Sequence, residues 1–181
     1  YEAKRVPFDQ LHLLATNNEY HWCSHHFQGE IRRAENALPL FNMIVLDIDG
    51  TMPLHVAQDL LKQYRAFFYT TKSHTEEVHR YRIILPINYE VEMDREEYNA
   101  CMDAVLQTLP FECDPATKDI ARKWMCNEGE YFYQEGELFD ILPFIPNTSR
   151  SDERQQAFQN QADLDNLERW VLNHTGSGNR N

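Results

Sequence analysis

The chain has 181 residues, of which 42% are hydrophobic and 12% aromatic, an ordinary globular composition that supports a single domain with one sizeable hydrophobic core. The formal net charge of −12 excludes tight, sequence-independent binding of nucleic acid by the bulk surface, because such binding requires many phosphate-neutralising cations. No apolar run is long enough to span a bilayer and no secretory signal is recognisable. We therefore expect a cytoplasmic protein without a membrane partner.

The hydrophobic pattern predicts alternating helices and strands in chain order. Helices are predicted over 8–20, 54–64 and 94–109, and strands over 43–48, 66–70, 80–86, 111–114, 123–126 and 130–133. Asp94 is placed to cap the third helix, and Pro110 is placed to end it. These elements predict an α+β fold, a mixed β-sheet with flanking helices.

The composition changes near Pro146. Residues 147–181 contain a polar stretch, a helix predicted over 153–172 with few strong apolar positions, and an end rich in Gly and Asn. We therefore predict a core domain over 1–146, followed over 147–181 by a C-terminal helix and a linker toward a downstream module that is missing here.

The segment with the most chemical information is an apolar run, 44–46, that leads into Asp47, Ile48 and Asp49. Alternate side chains of a strand share a face, so both carboxylates are expected on one side. Two adjacent carboxylates repel each other unless a cation lies between them, and their hard oxygen atoms suit Mg²⁺ or Mn²⁺. The segment predicts a metal site for phosphoryl chemistry. The alternative is a simple turn that starts a helix.

The string Asp47-Ile48-Asp49-Gly50-Thr51 resembles the first motif of haloacid-dehalogenase-type phosphatases. That resemblance implies a phosphatase with Asp47 as its nucleophile, built from a run of alternating strands and helices. The motif lies farther from the start of the chain than is usual in that family, and the interval from Thr71 to Asp114 is short for such a run. The phosphatase is therefore kept as the alternative function.

A second resemblance, which covers more of the chain, is to the archaeo-eukaryotic primase superfamily, in particular the primase-polymerases of phages, plasmids and mobile elements. It rests on three segments: the Asp-x-Asp strand over 45–49, the string Thr-Thr-Lys-Ser-His-Thr over 70–75 with the basic strand over 80–86, and Cys113-Asp114-Pro115. The resemblance implies that 1–146 is a primase-polymerase catalytic core with an RNA-recognition-motif-like lobe. It also implies a bacterial or phage-infected cell as host.

The resemblance assigns roles to individual residues. Asp47, Asp49 and Asp114 are implied to bind two Mg²⁺ or Mn²⁺ ions, which stabilise the attacking and leaving oxygens of nucleotidyl transfer. The residues implied to bind the nucleotide are Lys72, Ser73, His74, Arg80, Arg82 and Arg122. Candidates for pocket or template contacts are Arg33, Asn36 and Lys123, and candidates for stacking on template bases are Trp22, Phe27, Trp124, Tyr131 and Tyr133.

Two of these assignments remain open. Asp119 is an alternative to Asp114 as the third carboxylate, although Asp114 follows a more strand-like segment. His74 or Arg82 fills the role of the second-motif histidine, because many family members have that histidine at the position of Arg82. The implied partners are nucleoside triphosphates, a single-stranded or primed DNA template, and a helicase or template-binding module in the same polypeptide. The expected activity is primer synthesis, DNA extension, or both.

Overall fold

The computed structural model describes residues 1–147, so the helix predicted over 153–172 lies outside the described residues. Tyr1–Ile145 form one compact unit. Its α-helices are α1 (Leu11–Ala15), α2 (Leu54–Leu60) and α3 (Arg95–Thr108), and its strands are β1 (His21–Trp22), β2 (Leu40–Asp49), β3 (Ala66–Thr70), β4 (Arg80–Glu92), β5 (Trp124–Met125) and β6 (Tyr131–Gln134). Within residues 1–147, every helix is too short or too polar to cross a membrane.

A four-stranded sheet with the strand order β2-β4-β3-β6 forms the centre of this unit. All its neighbouring strands are antiparallel, and a separate antiparallel sheet pairs β1 with β5. The α+β class is confirmed, but the predicted mixed sheet is wrong. The reason is that β4 lies between β2 and β3, so the two strands that α2 connects are not neighbours. Along the chain, β3 is followed by β4 and β5 by β6 without a helix between them. This also differs from the alternating strands and helices implied by the phosphatase resemblance.

Both faces of the sheet are covered, and β3 shows this most clearly because all five of its residues are buried. On one face, Phe68 belongs to an apolar cluster that includes buried residues of α2 and α3. On the other face, Phe67 and Tyr69 belong to a cluster that includes α1 and the two-stranded sheet, whose Trp22 and Trp124 are paired. The small sheet therefore covers the face that carries the odd-numbered residues of β3.

The observed bounds of the strands and helices show which elements the local sequence predicted correctly. The strand over Ala66–Thr70 agrees with the prediction, and α3 starts at its expected cap, since Asp94 accepts hydrogen bonds from the N–H groups of Glu96 and Glu97. In contrast, β4 continues past Pro86 to Glu92. Its pairing with β3 ends at Ile84, and beyond that point Phe139 pairs with the same edge of β4, its N–H donating to the Pro86 carbonyl oxygen at 2.9 Å. Pro86 therefore lies past the last residue of β4 that pairs with β3, and its missing N–H interrupts no hydrogen bond to that strand.

The strand predicted over 111–114 is wrong, because this segment forms an irregular connection after α3. It nevertheless lies against the end of β2, since the N–H of Asp114 donates to the carbonyl oxygen of Asp47 at 2.9 Å. Thr51 Oγ1 also donates to the carbonyl oxygen of Glu112 at 2.7 Å. Two contacts therefore attach this connection to the chain around the Asp-x-Asp motif.

Candidate active site

Two acid–arginine pairs lie side by side at one end of β2 and β4. The strand register places Asp47 opposite Arg82 and Asp49 opposite Arg80. Because the two pairs are two residues apart on each strand, both are on the same face of the sheet. Arg82 Nε is 3.2 Å from Asp47 Oδ1, and Arg80 Nε is 2.9 Å from Asp49 Oδ1. We call Asp47–Arg82 the inner pair and Asp49–Arg80 the outer pair.

Asp114 reaches the inner pair from the connection after α3. Its carboxylate accepts the N–H of Ala116 at 2.9 Å, which caps the short 3-10 turn Pro115–Lys118 and holds the side chain in place. Arg122 Nη2 lies 3.0 Å from Asp114 Oδ2 and 3.5 Å from Asp47 Oδ2. One guanidinium group therefore bridges two of the three carboxylates that the sequence assigned to a metal site.

The alternative third carboxylate, Asp119, takes a different position. It accepts the N–H of Ala121 at 3.0 Å, a local contact that shapes the turn before Arg122. Among the described residues, Asp119 forms no ion pair with Arg122. The structure thus brings Asp114, rather than Asp119, next to Asp47.

The small sheet contacts the guanidinium groups of both Arg82 and Arg122. The guanidinium groups of Arg82 and Arg122 lie over the Trp124 ring, 5.4 and 5.5 Å from its centre. Arg82 Nη1 also donates to the Met125 carbonyl oxygen at 2.6 Å and to the Tyr69 hydroxyl at 3.3 Å. Arg82 is therefore occupied on several sides, whereas the guanidinium group of Arg122 is paired with the Asp47 and Asp114 carboxylates and lies over the Trp124 ring.

This position of Trp124 bears on the predicted base-stacking residues. Trp22, Phe27 and Trp124 are buried in the core, so the apolar interior accounts for all three. Tyr133 is half-buried and Tyr131 is 43% exposed on the edge strand β6. Only the two tyrosines of this set therefore present surface on which a base can stack.

Burial distinguishes the inner pair from the outer one. The Asp47 and Arg82 side chains are 12% and 11% exposed, whereas those of Asp49 and Arg80 are 65% and 41% exposed. Burial raises the pKa of Asp47 and nearby Asp114 adds to that rise, although Arg82 and Arg122 lower it. The inner carboxylate is therefore poorly hydrated and depends on its arginines for neutralisation.

The loop over 71–79 places the second motif beside the outer pair. His74 Nδ1 accepts the N–H of Arg80 at 3.0 Å, and the His74 ring meets the His79 ring edge-on at 5.2 Å. His79 Nδ1 accepts the N–H of Leu54 at 3.2 Å, and its carbonyl oxygen accepts the N–H of Gly50 at 2.9 Å. Gly50 has a φ of +80°, which favours glycine and turns the chain away from β2.

His79 is the residue near this site that the sequence reasoning missed. Its position immediately before Arg80, at the start of a basic strand, was the available signal. The other predicted nucleotide ligands of the loop, Lys72 and Ser73, are exposed on a turn. Arg80, His74 and His79 are thus held together, while Lys72 and Ser73 lie on the surface of the same loop.

The candidate pocket residues Arg33 and Asn36 form their polar contacts within their own loop. Arg33 is exposed and lies 3.8 Å from a Glu35 carboxylate oxygen, and Asn36 donates to the carbonyl oxygen of Ile31 at 3.2 Å. Arg32 connects this loop to the site instead, because its Nη1 donates to the carbonyl oxygen of Ala121 at 2.7 Å. Lys123 is exposed next to Arg122.

The carboxylate oxygens have the right chemistry for Mg²⁺ or Mn²⁺, but arginines lie against them. Residues 1–147 contain no group of three or more His, Cys, Asp or Glu side chains placed to hold a metal ion. The implied two-ion centre therefore remains a prediction. As they are placed, the side chains form a network of ion pairs.

Comparisons with known proteins give one finding. A family model described as the VapE N-terminal domain matches residues 23–138, a segment that includes both ion pairs, the loop over 71–79, Asp114 and Arg122. No curated protein and no solved structure matches the chain.

Proposed function

The chain belongs to the VapE N-terminal domain family, and from this premise we propose that it is a template-directed nucleotidyltransferase, acting as a DNA primase, a DNA polymerase, or both. The association of VapE-like proteins with phages and plasmids, and with primase and helicase modules, supports this proposal. The activity would serve replication of a phage, plasmid or mobile element. A helicase or template-binding module in the same polypeptide would be its partner.

The observation that carries the proposal is the convergence of Asp47 and Asp114 on one guanidinium group, that of Arg122. These carboxylates come from distant parts of the chain, and Asp49 follows on the same face of β2. Acidic side chains beside several arginines suit phosphoryl transfer, because the acids hold divalent ions and the arginines hold phosphate oxygens. The ion pairs supply both kinds of group within one small region.

Each residue has a definite task in this proposal. Two Mg²⁺ or Mn²⁺ ions, when bound to Asp47, Asp49 and Asp114, would supply charge stabilisation at the attacking and leaving oxygens. Arg80 and Arg122 would bind the triphosphate, since their side chains are 41% and 32% exposed.

The remaining candidates divide into supporting and ligand-binding residues. Arg82 is enclosed by Tyr69, Trp124 and Met125, so it would position Asp47 rather than contact the nucleotide. His74 would therefore fill the second-motif role, with Lys72 and Ser73 from the same loop beside it. We further propose that the four-stranded sheet with α2 and α3 corresponds to the RNA-recognition-motif-like lobe of primase-polymerases.

The test is incorporation of labelled nucleotides on single-stranded and primed DNA with Mg²⁺ or Mn²⁺. Asp49→Ala is the most informative variant, because the exposed Asp49 contributes little to the fold. We expect it to lower incorporation by about a hundredfold or more, a loss typical of a disturbed metal site. Asp59→Ala is the matched control, since Asp59 is an exposed acid on α2 that pairs with Lys62 away from the site.

Three outcomes are informative. Incorporation that depends on Asp49 and not on Asp59 supports the proposal. Release of phosphate from a small phosphate ester, without incorporation or pyrophosphate release, would support the phosphatase alternative. Absence of both activities, in a protein that also fails to bind a nucleoside triphosphate, would rule out both enzymes for this chain.

A further inference from the structure

Every carboxylate in the proposed metal site is in an ion pair with an arginine. Arg80 lies against Asp49 at 2.9 Å, Arg122 lies against Asp114 at 3.0 Å, and Asp47 has Arg82 at 3.2 Å and Arg122 at 3.5 Å. These arginines are the same three that the sequence assigned to phosphate binding. The two sets of functional groups neutralise each other in the chain without ligands.

The charges explain how such an arrangement responds to ligands. Three carboxylates and three guanidinium groups sum to zero, so a free divalent ion enters a neutral cluster and meets positive groups already in contact with its ligands. A nucleoside triphosphate alone brings roughly four negative charges toward the carboxylates, which is also unfavourable. Two divalent ions and one triphosphate together add no net charge. Only this combination gives each carboxylate a metal ion and each mobile arginine a phosphate.

We infer that arginines are the resident counter-ions of these carboxylates and that they exclude a free divalent ion until nucleotide phosphates draw Arg80 and Arg122 away. The inference rests on the proposed function and adds to it a linkage between metal and nucleotide binding. In thermodynamic terms, the affinity for each ligand increases when the other is bound.

Arg122 is the residue on which this exchange depends. It bridges Asp47 and Asp114, so its departure frees both carboxylates at once. Its side chain is 32% exposed and keeps the Trp124 ring as a support, which allows the guanidinium group to turn toward a ligand. Arg82 is 11% exposed and held by Tyr69 and Met125, so it would remain in place beside Asp47.

The test measures Mn²⁺ binding by electron paramagnetic resonance of free Mn²⁺ in the absence of nucleotide, on the whole chain. Arg122→Met removes the bridging charge and keeps an apolar stem over Trp124. We expect this variant to bind Mn²⁺ about tenfold more tightly than the wild type, because the ion no longer displaces a cation. Lys62→Met is the control: it removes the same charge from an exposed residue that pairs with Asp59, and we expect Mn²⁺ affinity to change little.

Unfolding curves verify that the variants are folded, and if Arg122→Met is not, Arg80→Met gives a second test at the exposed Asp49. Tighter Mn²⁺ binding by Arg122→Met but not by Lys62→Met supports the inference. Equal Mn²⁺ affinity in wild type and Arg122→Met overturns it and leaves the proposed function intact if nucleotides are still incorporated. Failure of all variants to bind Mn²⁺, with or without a non-hydrolysable nucleoside triphosphate, overturns the inference and the proposed function together.

Discussion

The inner and outer pairs have the same chemistry on the same two strands, yet they differ in burial. Asp47 and Arg82 are almost enclosed, with Tyr69, Trp124 and the Met125 carbonyl around the arginine. Asp49 and Arg80 are largely exposed to solvent, although their separation of 2.9 Å is shorter. The comparison shows that the environment of an ion pair, rather than its length, determines what its loss costs.

This difference in burial also gives the two pairs different roles within the site. A buried pair that is satisfied on several sides is costly to break, so the inner pair serves as a fixed support for Asp47. A solvent-exposed pair contributes little to stability and rearranges readily, so the outer pair is suited to exchange its partner for a ligand. The Arg122 side chain is 32% exposed, between the values for Arg82 and Arg80, so it combines a contact with the buried Asp47 with access to solvent. Three experiments on the carboxylates sharpen this comparison.

The largest expected effect is that of Asp47→Ala on stability. The substitution leaves the buried Arg82 without its carboxylate, and we expect the free energy of unfolding to fall by about 3 kcal/mol. Urea denaturation followed by circular dichroism measures this change. A loss below about 1 kcal/mol, the value of an exposed pair, would show that Tyr69 and Met125 alone satisfy Arg82 and would remove the distinction drawn above.

A smaller effect is expected in the pH dependence of stability. Burial raises the pKa of Asp47 above its ordinary value of 3.8, so between these two values the folded protein holds a proton that the unfolded chain has lost. The stability from this group is fully present below pH 3.8 and is lost as the pH rises through the folded value. Asp47→Asn lacks this titration.

We therefore expect the wild type to lose stability relative to Asp47→Asn as the pH rises. Urea unfolding curves of both proteins between about pH 3 and pH 7 measure the difference, and other titrating groups cancel because both proteins contain them. A difference that grows in favour of the wild type with rising pH would mean that the two arginines outweigh burial at Asp47.

The smallest effect on stability is expected for Asp49→Ala. Because the Asp49 side chain is 65% exposed, we expect its loss to change the free energy of unfolding by less than about 1 kcal/mol. The same urea assay measures it, with the wild type at low and high salt as a reference for screening. A loss similar to that of Asp47→Ala would contradict the division between a fixed inner pair and an adaptable outer pair.

Local sequence was sufficient for elements whose signals are contained in neighbouring residues. The apolar run over 66–70 and the Asp94 cap predicted β3 and α3 closely, because burial of a short strand and capping of a helix depend on adjacent residues. The alternation of strand residues also predicted that Asp47 and Asp49 share a face, which the register with β4 shows.

The partners of these carboxylates could not be read in the same way. Their arginine neighbours depend on β4 pairing with β2 in one register and on the connection after α3 lying against the end of β2. The predicted mixed sheet was wrong for the same reason, since the pattern within a strand does not identify its neighbour or their relative direction. Trp124 was a candidate for base stacking until the small sheet placed it beneath two arginines.

By itself, the sequence determined the α+β class, the Asp-x-Asp strand and the acidic and basic residues from which a phosphoryl-transfer site can be built. Tertiary structure alone decided that Asp114 rather than Asp119 meets Asp47, and that an arginine lies against each carboxylate. The physical reason is range: periodicity and capping act over a few residues, whereas an ion pair between distant segments exists only after the core has fixed their positions.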